Sequence, residues 1–579
     1  MAIAVFDALE NLVVEKRFAQ ADQHDVFGGV AGVLHQTLED GVGHVFFGLL
    51  VCFARAHGAV EVALRRRLYD ELHGECVEAL FAAKISPKKL GPIPCTHAVS
   101  FNCSGRPAAG IKSKMTLERV AELNKRDVRA GAGYVLYWAQ MNRRVSSNHG
   151  LAFAVERANK LGLPVLYYEG LTCTYPHAND RLHTFLLEGV PDTAKQLAKI
   201  GIGYVFYPRR RKSDANDILY RLAAKAAMVV TDDYPTFIAA RHNTSVPAKI
   251  DCPYYAVDSS CVVPMSRMEK REWAAYTIRP KINRMLPEYL KPFEMPPVHL
   301  KYEGGVPAFH VAMTKDGIND LVASCEIDHT VRPSTAFHGG SEEAQKRLTQ
   351  FLATKLRTYA RERNEPSAHA TSNLSPYLHF GHISPLHVAL QARAYAEEHQ
   401  LVASEFLEEL IVRRELSFNF ARFTPNFDSL ESLPNWALTT LAKHAKDKRD
   451  PVFTTRQMEA CETYDPLWNA TQKELLLRGK MHGYYRMYWG KKIIEWSATH
   501  EEALRFMIAM HDRYALDGRD PNTYVGILWC FGLHDRPWVE RPIFGQIRYM
   551  SYDGMRRKTG VDDYIREIEY VERTGKELQ

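Results

Sequence analysis

From residue 133 onward the apolar positions fall in short runs rich in Val, Tyr and Leu: GYVLYWAQ, LPVLYYEGL, GYVFYPRR and AMVVTDDYP. Runs of this length read as short strands. Between them HGLAFAVERANKLG, DTAKQLAKIG and ANDILYRLAAKAA repeat their apolar residues at three- and four-residue steps, the period of a helix with one buried face. Strands alternating with helices predict a parallel sheet covered on both faces, and right-handed crossovers make it a doubly wound α/β domain over residues 131–262. No GxGxxG follows the first strand, so an ordinary dinucleotide site there is unsupported.

Residues 263–340 lose this periodicity, are rich in Pro and Gly, and are predicted to be a linker. From Ser341 the helical period returns and holds to the end, giving an all-helical domain over 341–579. SEEAQKRLTQFLATKLRTYARER opens with Ser341 as its expected N-cap, and ASEFLEELIVRRELSFNFARF repeats the pattern. Thr499-His500-Glu501-Glu502 has the form of a capping box, and Asp465-Pro466 places a proline at a helix's first turn.

Residues 1–114 match neither region. Helical patterning is expected around 60–83, followed by a Pro-, Gly-, Ser- and Lys-rich stretch, so this is an extension of unknown role and partly disordered composition. Met115 opens the cleaner pattern, and an over-long start assignment is one explanation; native peptides from upstream of Met115 in mass spectrometry would remove it.

With 46% hydrophobic and 25% charged residues, the chain can build real cores. Its net charge of +6 does not require nucleic acid, but the clusters Arg209–Lys212 and Arg556–Lys558 are either solvated faces or local anion contacts. The ten cysteines form no CxxC pair, the start has no basic leader, and the apolar run near residue 50 is too short to span a bilayer. A cytoplasmic monomer without a metal site or membrane contact is expected.

Several stretches carry candidate chemistry. In KMHGYYRMYWGKKIIEW, Trp489 and Trp496 are seven residues apart on one helix face, about 10 Å along the axis. Trp468 lies on the preceding helix at a distance the sequence does not fix. These indoles form either a packing stripe or a path for an electron hole. Thr371, Ser372, Asn373, Leu374 and Ser375 precede Pro376, an arrangement of hydroxyls suited to a phosphate or to a plain capped turn. Glu409 follows Phe406 and precedes Leu410, which makes it either a pocket-wall acid of raised pKa or a rim acid paired with Arg413 four residues on. Asp517, in the turn-forming LDGRDPN, is within reach of pairing with Arg486.

Taken together, TSNLSPYLHFGHIS, EELIVRREL, YDPLWNATQKELLLRGKMHGYYRMYWGKKIIEW, LDGRDPNTYVGILW and RPIFGQIRYMSYDGMRRK resemble class II cyclobutane pyrimidine dimer photolyases, from about residue 131 to about 570. The resemblance implies an N-terminal α/β antenna domain and a C-terminal helical domain that holds FAD, active as FADH⁻, and binds DNA. It implies that Tyr359 and the turn Thr371–Ser375 hold the flavin, with Arg486 and Asp517 an ion pair beside its ring. It implies an electron path Trp489, Trp468, Trp496, with Trp489 innermost, and a lesion pocket of Glu409, Met487 and Trp529. The partner is then damaged DNA containing pyrimidine dimers, flipped out of the duplex and split by an electron from the photoexcited flavin. An antenna chromophore such as a deazaflavin is a further expectation that no residue set establishes. The family usually has Asn at the position facing flavin N5, where this chain has His511 in AMHDRY, so an altered lifetime of the flavin semiquinone is expected, to be read by comparing photoreduction of His511→Asn with the parent. The rival readings are a cryptochrome-like photoreceptor without repair activity, a DNA-binding module without catalysis, and a flavin oxidoreductase.

Overall fold

The computed structural model describes residues 117–578; the expectations for residues 1–114, including the helix around 60–83, lie outside the described residues. Its sheet is built from β1 (Val120–Glu122), β2 (Tyr134–Ala139), β3 (Val165–Thr172), β4 (Gly203–Arg209), β5 (Ala226–Asp232) and β6 (Tyr254–Val257). The spatial order is β1-β6-β5-β2-β3-β4. All neighbours are parallel except β1, which runs antiparallel to β6 at the edge. The chain therefore winds outward from β2 to β4, returns to β5 beside β2, and leaves a switch point between those two strands. Every residue of β2 and of β5 is buried, because helices cover both faces, and this is why these runs show no polar alternation.

The four strands β2 to β5 lie where the apolar runs predict them. β1 and β6 are too short to carry a readable pattern: three residues, and four just after Pro253. The helix Asp180–Leu187 is also unpredicted, since Asp180, Arg181 and His183 are buried polar residues that break an amphipathic period. The stretch 263–340, expected to be a linker without periodicity, has helical structure of its own. It contains the fifteen-residue helix Ala275–Tyr289, whose internal Pro280 and Pro287 hide it from a propensity reading.

The rest of the chain is helical. Pro466–Arg478, Gly483–Trp496, His500–Tyr514 and Pro521–Trp529 surround a second core of Trp468, Trp489, Met507, Leu528 and their neighbours. Asp465 caps the first of these helices by accepting from the Trp468 N–H at 2.9 Å, with Pro466 at the first position. Thr499 caps the third by accepting from the Glu502 N–H at 3.1 Å. Ser341 is not the N-cap expected of it; Gly340 takes that place and Ser341 is the first helical residue. Within ASEFLEELIVRRELSFNFARF a π-helical segment, Glu408–Arg413, separates the helical Ser404–Leu407 from Arg414–Phe423. Among the described residues, no helix is long and apolar enough to cross a membrane, and no His/Cys/Asp/Glu group could hold a metal ion.

Candidate functional site

The helix Gly483–Trp496 presents two buried indoles on one side, and Pro466–Arg478 inserts a third between them. The Trp468 ring lies parallel to Trp489, centroids 6.3 Å apart, and edge-on to Trp496 at 5.4 Å. Trp468 is thus the middle member, and all three indoles are at most 1% exposed. Each indole N–H is satisfied: Trp468 donates to the Trp489 carbonyl (3.0 Å), Trp489 to Gln472 Oε1 (2.8 Å) and Trp496 to the Tyr464 hydroxyl (3.2 Å). Gly479 ends the middle indole's helix with φ +73°, and a Cβ there would lie 2.9 Å from Arg181. Neither Gln472, Tyr464 nor Arg181 was legible as part of this arrangement from sequence.

Beyond Trp489 the packing turns polar. The His511 ring stands edge-on to Trp489 at 5.2 Å. His511 Nδ1–H donates to the Met507 carbonyl at 2.8 Å, which leaves Nε2 buried and without a partner. Burial, aided by the Arg486 charge, pushes the His511 pKa down to about 3, so the ring is neutral and Nε2 is an acceptor. Arg486 bonds both Asp517 oxygens, at 3.0 and 3.1 Å, while its own Nε stays buried and unpartnered. Ser375 Oγ–H donates to Asp517 at 2.7 Å. Burial opposes ionisation of Asp517, but Arg486, Lys480 and the Ser375 hydroxyl outweigh it and hold the carboxyl below its usual range.

Ser375 begins a helix of only five residues, Ser375–His379, preceded by Asn373 at φ +55°. Thr371 Oγ1–H donates to Asn373 Oδ1 at 3.2 Å, so the predicted hydroxyl turn is a folded, half-buried loop, with Ser372 half-buried and Leu374 buried beside it. Tyr359 is buried edge-on to Phe351 and Phe406, and burial pushes its hydroxyl up to about 12.

The pairing of Glu409 with Arg413, one of the two readings of the sequence, is not what the structure has. Glu409 is ion-paired with Arg363, a residue the sequence reading passed over. Arg413 instead reaches Glu408 at 3.2 Å. The residue after Trp529, Cys530, has its thiol 3.9 Å from the Met487 carbonyl. Trp529 is flanked by two cations: Lys491 Nζ lies 5.0 Å and the Arg548 guanidinium 5.3 Å from its ring. Arg548 also covers Trp538 at 4.2 Å, making a basic-aromatic surface on which Trp538 is 36% exposed. Arg548 lies in RPIFGQIRYM, where the sequence carries no further signal of its role. Lys491 is wholly buried, donates to the Cys530 carbonyl at 2.6 Å, and is pushed down to about 8 by burial.

A cavity of about 370 Å³ opens at the carboxyl ends of the parallel strands, beside the switch point. Trp138, Tyr168, Tyr207, Arg209, Leu219 and His242 line it. The basic run Arg209–Lys212 folds around Asp214: the backbone N–H groups of Arg210 and Arg211 donate to its carboxylate at 3.0 and 2.9 Å.

Comparison with known proteins gives a consistent picture. The family model described as DNA photolyase matches residues 135–297. The deoxyribodipyrimidine photo-lyase of Methanothermobacter thermautotrophicus is 40% identical over 455 residues, 78% of this chain and 98% of that protein. The protein of the same name from Arabidopsis thaliana is 38% identical, over 75% of this chain and 88% of its own. Among solved structures, a bacterial class III photolyase from Agrobacterium tumefaciens superposes with TM-score 0.55 at 19% identity, covering 78% of this chain and 93% of that one. An archaeal photolyase from Sulfolobus tokodaii with two FAD molecules gives 0.53 at 16%, covering 76% and 91%. The structural neighbours establish a photolyase-like fold, a mixed, largely parallel sheet followed by a helical region, and the identity to the archaeal relative over almost its whole length establishes that this chain belongs to the DNA photolyase family.

Proposed function

We propose that the chain is a class II photolyase that splits cyclobutane pyrimidine dimers in DNA by light-driven electron transfer. The observation that carries this reading is the unbroken series of ring contacts Trp489–Trp468–Trp496, ending inward at a polar cluster built on Arg486, Asp517 and His511. Indoles held only by packing need not meet in series, and a polar cluster with two orphaned buried atoms, Arg486 Nε and His511 Nε2, is expensive unless a ligand meets them.

Those atoms fit the polar edge of a flavin ring. Arg486, Asp517 and His511 would hold that edge, with Tyr359 and Thr371–Ser375 around the remainder of FAD. Bound there in its reduced form, FADH⁻, this group would supply the light-driven electron transfer that dimer splitting needs. The residues do the rest. Asp517 fixes Arg486 as a cation facing the site. His511 offers an acceptor and no donor, where an Asn side chain could turn to offer either. Trp489, Trp468 and Trp496 carry a hole outward when the flavin must be reduced.

On the substrate side, Glu409 is ion-paired with Arg363. Arg363, held by it, carries the N–H donors where negative charge develops, the electrostatic arrangement such a step needs. Met487 and Trp529 would line the lesion pocket, and the Trp529–Arg548–Trp538 surface supplies stacking faces and positive charge to DNA. The domain reading follows: 131–262 is the antenna domain and 341–579 the FAD- and DNA-binding catalytic domain. The cavity at the strand ends is the candidate seat of an antenna chromophore, whose aromatic lining suits a planar ring system such as a deazaflavin.

The test is repair of a thymine-dimer oligonucleotide by purified, reduced protein in blue light and in darkness. Dimer loss confined to the illuminated sample is expected. Flavin binding and photoreduction without dimer loss would overturn the repair reading in favour of a photoreceptor.

A further inference from the structure

The three indoles are all buried, so no reductant in solution can touch them directly. Trp496, the outermost, still has to receive an electron from somewhere. It contacts Phe453, whose ring centroid lies 5.3 Å away, and Tyr464, at 5.4 Å. A phenyl ring is not oxidised by an indole radical; a phenol is. Tyr464 is 60% exposed. Resting on the reading of Trp489, Trp468 and Trp496 as an electron path, we propose that Tyr464 is the fourth and terminal member of that path, the residue through which it exchanges electrons with solution.

The hydrogen bonding suits this role. The Trp496 N–H donates to the Tyr464 oxygen, so the phenol's own O–H is left free for water. The residue is held at its post by its neighbours. Thr463 Oγ1–H donates to Asn469 Oδ1 at 2.7 Å, Asn469 Nδ2–H returns to the Thr463 carbonyl at 2.8 Å, and Asp465 caps the helix that carries Trp468. The helix bearing the middle indole thus also fixes the exit.

Local charge adds a direction. Lys492, 5% exposed, places its ammonium 5.5 Å from the Trp496 ring. A cation at that distance disfavours a second positive charge on the indole, and Glu495, bonded to Lys492 at 2.9 Å, offsets it only in part. A neutral phenoxyl radical carries no such charge. The step balances simply. Trp496, having passed an electron inward, takes one from Tyr464; the phenol O–H releases its proton to water; and a neutral tyrosyl radical remains. A soluble thiol then delivers one electron and one proton, restores the phenol, and leaves as a thiyl radical that couples to disulfide.

The full chain, loaded with oxidised FAD and produced with ring-deuterated tyrosine, would be flashed with blue light and followed by transient absorption and EPR. A tyrosyl radical whose EPR lines narrow on deuteration is expected after the tryptophan signal decays. In Tyr464→Phe it should be lost and a tryptophan radical should persist; in Tyr464→Trp a stable outer radical of tryptophan character should return, with thiol-supported photoreduction restored. Flavin that is photoreduced while the parent ends on the same tryptophan radical as Tyr464→Phe would overturn the assignment of Tyr464 and leave the three-indole path standing. A parent that shows no radical pair at all would overturn the path itself, and this proposal with it.

Discussion

Arg181 offers the sharpest stability test. It leaves the α/β region from the helix Asp180–Leu187 and ends, 2% exposed, among the carboxyl ends of two helices of the other region. Its guanidinium donates to the carbonyls of Leu475 and Tyr514, each at 3.0 Å, to Arg332 at 2.9 Å, and to Leu476 and Leu477. Both helix ends carry partial negative charge, so a cation is well placed there. Burial opposes it, pushing the guanidinium down to about 10. Arg181→Met keeps the bulk of the stem but removes every donor. Taking the three bonds near 3 Å at about 1.5 kcal/mol each, because the donor is charged, the loss is about 4.5 kcal/mol. Against a typical stability of 5–15 kcal/mol, this is a large fraction. Urea unfolding followed by tryptophan fluorescence measures it. Arg181→Lys, with one compact ammionium in place of the fork, should lose about half as much. An Arg181→Met protein within about 1 kcal/mol of the parent would refute the view that this contact fastens the indole-bearing helix to the sheet region.

Three further outcomes follow from the same geometry. Asp517→Asn should leave Arg486 without its counter-charge and lower protein stability by about 3 kcal/mol in urea titration, with weaker FAD retention on gel filtration, whereas unchanged retention would remove the pair from the flavin site. Trp468→Phe should cut photoreduction of bound flavin at least tenfold, because it removes the indole that touches both others; an unaffected rate would mean that electrons enter elsewhere. Stability should fall as pH drops from 7.5 to 5.5: His183 is held at about 4 and His382, His482, His511 and His534 at about 3, so the unfolded chain binds their protons first, worth roughly 7 kcal/mol at pH 5.5. Glu415, raised to about 8, and Asp512, raised to about 6, act in the opposite sense by roughly 3 kcal/mol, which leaves a net loss of about 3–4 kcal/mol; a urea midpoint that holds or rises at pH 5.5 would contradict it.

What could be read from the sequence follows from how local each feature is. The strands β2 and β5 announced themselves because burial on both faces makes a run of apolar residues, and Trp489 and Trp496 share a face because a helix repeats that way. The distance to Trp468 was not readable, since it depends on Gly479 turning the chain and on Arg181 reaching in from nearly 300 residues earlier. The partner of Glu409 shows a different kind of failure. On a regular α-helix Arg413, four residues on, would be its neighbour. The π-helical segment Glu408–Arg413 widens that turn by one residue, so Arg413 meets Glu408, five residues before it, and Glu409 is turned toward Arg363 instead. A pattern of apolar residues cannot distinguish a period of 3.6 from one wider turn within it. That single turn decides which cation stands beside the acid assigned to the lesion pocket: the Arg363 guanidinium, and not that of Arg413.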